Sequence, residues 1–148
     1  MKKAMLLAAF LVACAPKEEP APDTAATAAP AGLTTADLTG TFSGTSWMEG
    51  TDSVAGRWTA ISSDGMTGKF IQEGQKDTVS FTTVIEGDSS VSTSEPYTDA
   101  TLPNKPRVTF RSVGRKQDGK FAGTAALMLA SKPDSVVGRV RWEATKTP

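Results

Sequence analysis

Short runs of alternating apolar and polar residues, broken repeatedly by turn formers, constrain this chain more than any other feature. From residue 33 onward no segment carries a sustained apolar stripe at the 3.6-residue period of a helix. Runs rich in Val, Thr, Phe, Trp and Ile recur instead at about 39–47, 54–62, 66–72, 77–86, 89–95, 107–113, 120–130 and 135–144. Clusters of Gly, Asp, Asn, Ser and Pro separate them. Asp64-Gly65, Gly87-Asp88 and Asp118-Gly119 accept the positive φ angles of tight turns. Links this short predict an antiparallel meander.

Each run has two unlike faces. Val79, Phe81, Thr83 and Ile85 share one; so do Val108 and Phe110; Phe121, Gly123, Ala125, Leu127 and Leu129; and Val136, Gly138, Val140 and Trp142. The opposite faces carry Arg107, Thr109 and Arg111, then Val137, Arg139, Arg141 and Glu143. One wet face and one dry face describe a sheet wrapped on a single core. The fold expected is therefore all-β, an eight-stranded antiparallel up-and-down barrel, since closure removes exposed edges. A two-sheet β-sandwich is the alternative. Gly40-Thr41-Phe42, Gly68-Lys69-Phe70 and Gly119-Lys120-Phe121 each put a tiny and a bulky residue on one face, which suits the taper of a small barrel.

In pattern this domain resembles the calycin group, which includes lipocalins and avidins. There a Gly-x-Trp opens the first strand and a basic residue late in the last strand covers it. Here Gly40-Thr41-Phe42 takes that place, with Phe for Trp, and the resemblance implies Arg139 or Arg141 as the covering cation. A shared shape does not by itself confer a function.

The N-terminus has a different character. Lys2 and Lys3 precede an apolar stretch from Ala4 to Ala13, too short to span a bilayer and laid out as a secretory signal peptide. Leu11-Val12-Ala13-Cys14 resembles the lipobox of bacterial lipoproteins. That resemblance implies cleavage before Cys14 and a covalent lipid on its sulfur. Cys14 is the chain's one cysteine, and an unpaired thiol has little use in an oxidising compartment. Residues 1–13 are thus expected to be a signal peptide and 14–32, rich in Ala, Pro and Thr, a disordered tether. Residues 33–148 form the single β-barrel domain. The expected location is the cell envelope, on the periplasmic face of an outer membrane or the cell surface in a source with two membranes; Ala15 permits that transfer by family analogy.

Composition removes several chemistries. The sequence has no histidine, which excludes Ser-His and Cys-His nucleophile pairs and histidine-ligated metals. With Cys14 lipidated, thiol catalysis and cysteine-held metals go too. No spacing among the Ser and Asp residues selects a catalytic set, so the chain is read as a non-enzyme without metal or cofactor beyond its lipid. Charge is uneven: residues 14–104 hold 4 basic and 13 acidic residues, and residues 105–148 hold 10 basic and 3 acidic. Such asymmetry suggests an interaction surface.

Two site readings follow. Trp58, Phe70, Phe81, Phe110, Leu127 and Trp142 inside the barrel, with Tyr97 from the long 96–106 connection, either line a pocket for a small apolar or amphipathic ligand or simply fill the core. Arg107, Arg111, Arg139 and Arg141 either form a cationic outer face for an anionic envelope component or are a solvated sheet face. An exported location argues against nucleic acid, and a monomer is expected. The longer loops gather at one end of the barrel, so the mouth is expected there, facing away from the anchor.

Overall fold

A computed structural model describes residues 32–148. The expected signal peptide, Cys14 and all but the last residue of the expected tether lie outside the described residues. One short helix, α1 (Thr35–Leu38), precedes nine strands: β1 (Gly40–Met48), β2 (Val54–Ser62), β3 (Thr67–Gln72), β4 (Val79–Glu86), β5 (Ser89–Ser94), β6 (Tyr97–Thr98), β7 (Arg107–Gln117), β8 (Lys120–Leu129) and β9 (Lys132–Thr147). From β1 to β5 and from β6 to β9 each strand pairs antiparallel with the next, β1 pairs with β9, and β5 pairs with β7 across Ser89↔Arg115 to Thr93↔Arg111. The sheet is therefore a closed barrel, not a sandwich. β5 and β6 lie end to end along β7 and count as one stave. Pro96 separates them because it has no amide hydrogen for the ladder.

The seams match the sequence expectations closely, with instructive departures. Asp118 and Gly119 both take positive φ (50° and 79°), which makes a two-residue hairpin and lets β7 run on to Gln117. The expected 114–119 link is thus mostly strand. Tyr97, expected in a loop, instead opens β6 and pairs with Val108 of β7. β9 starts earlier and ends later than its apolar run. Between Leu127 and Met128 the register slips, so that Gly138 faces Leu127 but Val136 faces Met128. This bulge turns Val136 outward, 44% exposed, and removes it from the inner face shared by Gly138, Val140 and Trp142.

α1 has no counterpart in the apolar periodicity, being one turn long. A capping box makes it: the Thr34 amide donates to the Asp37 carboxylate at 3.0 Å and the Asp37 amide donates back to Thr34 Oγ1 at 3.4 Å. Leu33 and Leu38 then pack on the core. Asp37 pairs with Lys116 of β7, and Lys146 of β9 donates to the Ala36 carbonyl at 3.3 Å. These contacts close the end of the barrel that holds the tight turns. Beneath α1, Phe42 and Phe121 meet edge to face, centroids 5.6 Å apart. The cation over Phe42 is Lys146, 6.0 Å from its ring centre and directly opposite it in register, rather than Arg139 or Arg141.

Candidate functional site

The other half of the barrel is not solid. A cavity of about 170 Å³ opens toward the end carrying the 49–53 and 99–106 connections. It exists because bulky inner residues are set against glycines. Trp58 pairs in register with Gly44 and Trp142 with Gly123, so each indole lies over a strand that offers no side chain. A Cβ on Gly44 would sit 2.2 Å from the Trp58 ring, and one on Gly114 would sit 2.5 Å from the Trp142 ring. Phe81 uses Gly68 in the same way. The rings flatten against the wall and leave the middle open.

All seven residues expected to face a pocket line this cavity: Trp58, Phe70, Phe81, Tyr97, Phe110, Leu127 and Trp142. Phe70 meets Tyr97 edge to face and Phe110 at a tilt, each with centroids 5.4 Å apart. Both indole N–H groups are satisfied inside the wall, Trp58 donating to Ser46 Oγ at 2.9 Å and Trp142 to Ser112 Oγ at 2.8 Å. The wall is thus apolar over most of its area with a few fixed polar atoms, the usual make-up of a small-molecule site.

Sequence reasoning missed the polar part of this wall. Asp99 is 1% exposed and lines the cavity. Its carboxylate accepts from the Thr101 amide at 2.8 Å, the Thr101 hydroxyl at 2.6 Å and the Tyr97 hydroxyl at 3.3 Å. Burial, reinforced by the negative charge of Asp99 and the hydrogen bond to it, pushes the Tyr97 phenol above its ordinary range. Tyr97 therefore stays a neutral donor throughout the working pH range. The signal for Asp99 was its spacing two residues after Tyr97, which continues the inner face of the stave. The connection folds inward beyond that point: Leu102 is buried over Gly138, in the same core cluster as Leu127.

The four arginines do not act as one patch. Arg111 on β7 and Arg139 on β9 stand level on either side of Ala126 of β8, on the outer face. Arg107 lies four residues further along β7, about 13 Å away by strand rise. Arg141 is engaged elsewhere: it pairs with Asp52 at 3.0 Å and stacks 4.5 Å from the Trp47 ring centre. Among the described residues, Arg107, Arg111 and Arg139 form no ion pair. Asp64, Asp88 and Asp118 each sit at a turn, and Asp64 is spent on the amides of Met66 and Thr67 and the Thr67 hydroxyl. No helix among the described residues is long and apolar enough to cross a membrane. Comparison of the chain with protein-family models, with curated proteins and with solved structures finds no match.

Proposed function

We propose that this protein is an exported, lipid-anchored binding module of the cell envelope that holds one small ligand inside its barrel. The observation that carries this reading is the cavity, walled by Trp58, Phe70, Phe81, Tyr97, Phe110 and Trp142 and set at the end opposite α1. A chain built only for a solid core would fill that space, since well-packed interiors leave few voids larger than a water molecule. The anchor rests on Leu11-Val12-Ala13-Cys14, whose resemblance to a lipobox supplies both export and attachment. With the N-terminal segment entering beside α1, the open end faces away from the membrane. Non-enzymatic binding is favoured because the wall sets no lysine, cysteine or histidine beside its hydroxyls, and its one carboxylate, Asp99, is engaged by the Tyr97 and Thr101 hydroxyls. Likeness of pattern to calycins supports the same use of the fold.

Native mass spectrometry of the protein purified gently from its own envelope tests the proposal. A reproducible extra mass, lost on denaturation, supports it and identifies the ligand class. Protein that stays bare after exposure to envelope extract counts against it.

The level pair Arg111 and Arg139, unpaired among the described residues, favours a second reading, a contact with an anionic envelope component. Reversing both charges should then weaken envelope association of protein released from its lipid. Unchanged association removes this second reading.

A further inference from the structure

We propose that the cavity selects a small organic cation, an alkyl- or arylammonium ion, with Asp99 as its counter-ion. This rests on the reading of the cavity as a ligand site. Asp99 and Val108 are the two most deeply buried side chains among the described residues. A carboxylate withdrawn from water is costly unless a positive charge or several donors meet it. Here the donors are neutral, from Thr101 and Tyr97, and no lysine or arginine lines the cavity. Both Thr101 donors fall on Oδ1. Oδ2 receives only the 3.3 Å contact from Tyr97, which leaves acceptor capacity on the oxygen.

The rest of the wall fits the same charge. Six aromatic rings surround the space, two of them indoles, the ring type with the strongest attraction for a cation. Their own polar hydrogens are used: both indole N–H groups go to serines and the Tyr97 O–H goes to Asp99. An occupant therefore meets aromatic faces, a few aliphatic groups, the neutral polar side chains of Gln72 and Ser92, and Asp99 as the one charged group of the wall. An anionic amphiphile such as a fatty acid would face Asp99 with like charge. The size also agrees, because an apolar cavity of about 150 Å³ holds a benzene and this one is about 170 Å³.

Three ligands of nearly equal shape separate charge from bulk: benzylammonium, benzyl alcohol and benzoate. Full-length protein carrying Trp47→Phe confines indole emission to Trp58 and Trp142, and titration of that emission reads binding. Benzylammonium is expected to bind at least about tenfold more tightly than benzyl alcohol, in line with a desolvated cation–π contact beside a carboxylate. Benzoate is expected to bind more weakly than either. In Asp99→Asn, which keeps an acceptor for Thr101, the preference for the cation should fall to about twofold or less. Should that variant fail to fold, the three-ligand comparison on the parent protein decides alone. Alcohol or benzoate binding as tightly as the ammonium overturns the cation proposal and leaves a neutral-ligand site standing. Absence of saturable binding by all three overturns both.

Discussion

Trp58 and Trp142 meet edge to face inside the barrel, ring centroids 6.0 Å apart, each in register with a glycine on the neighbouring strand. The pair meets across β1, which lies between β2 and β9, one inward position along from the Phe42–Phe121 contact. Gly44 and Gly123 are therefore part of the cavity's shape, because any side chain there must displace an indole.

Replacing those glycines should have unequal costs. In Gly44→Ala the three atoms nearest the new Cβ all belong to the Trp58 ring, a side chain that can shift toward the cavity at the expense of its bond to Ser46, so the loss should be about 1–3 kcal/mol with a shifted tryptophan spectrum. In Gly123→Ala the Cβ falls 2.1 Å from the Val113 carbonyl oxygen and 2.8 Å from Gly114 Cα. Backbone cannot yield as a ring can, so this variant should lose more. Gly56→Ala meets nothing closer than 3.8 Å and should be near neutral. Urea unfolding followed by tryptophan emission ranks the three; equal losses for Gly44→Ala and Gly123→Ala would refute the account.

The barrel was legible because its strands alternate cleanly and its turns use Gly and Asp where positive φ is required. The pocket side chains were legible for the same reason, since a period of two fixes which face each occupies. What stayed hidden depends on register and on long-range contact. The turn-out of Val136 follows from a bulge that β9 makes only when paired with Leu127 and Met128. Lys146, rather than an arginine, covers Phe42 because β9 runs three residues beyond its apolar run. Asp99 lies in the connection just past β6, and only the fold of that connection turns it into the cavity. Whether seven apolar residues enclose a void or fill it depends on volumes that a one-dimensional pattern does not contain.

Stability should be flat near neutrality and fall in acid. The chain has no histidine to titrate between about pH 5 and 8. Amides of Thr67 and Met66, with the Thr67 hydroxyl, lower the Asp64 carboxyl from 3.8 to about 2. Hydrogen bonds from Lys116 and Thr34 hold Asp37 well below the usual carboxylate range. A carboxyl whose folded pKa is depressed stabilises the fold above its ordinary pKa and loses that contribution as pH falls through the folded value. Melting temperature should therefore hold from about pH 8 down to about 5, then drop progressively between about pH 4 and 2. Asp64→Ala should start lower and show a shallower acid decline. A parallel decline in that variant would mean other groups set the acid limit.

Leu102 should govern the open end. Its buried side chain joins the core cluster that contains Leu127 and lies over Gly138, tying the 99–106 connection to the barrel. Leu102→Ala should cost near the low end of the range for a buried leucine, about 2 kcal/mol, because a loop can settle into the space left. Amide exchange should quicken at residues 99–106 while the ladder between β8 and β9 keeps its protection. Exchange that rises equally throughout would show that Leu102 supports the whole barrel and not its mouth.

If the proposed lipid anchor is right, attachment to the membrane should depend on Cys14. The described domain offers no long apolar helix as an anchor, and the apolar stretch before Cys14 is removed if the lipobox is cut. One acyl chain holds a protein only marginally, whereas two or more hold it stably. Protein from its own host should therefore partition almost wholly into the detergent phase and carry at least two acyl chains by mass. Cys14→Ser should leave nearly all of the protein in the aqueous phase while its domain still melts as the parent does. Melting must be compared because a misfolded domain would also change partitioning. A Cys14→Ser protein that stays in the detergent phase with an unchanged melt would mean that the barrel itself meets the membrane. The outer face with Arg111 and Arg139 would then be the first surface to change.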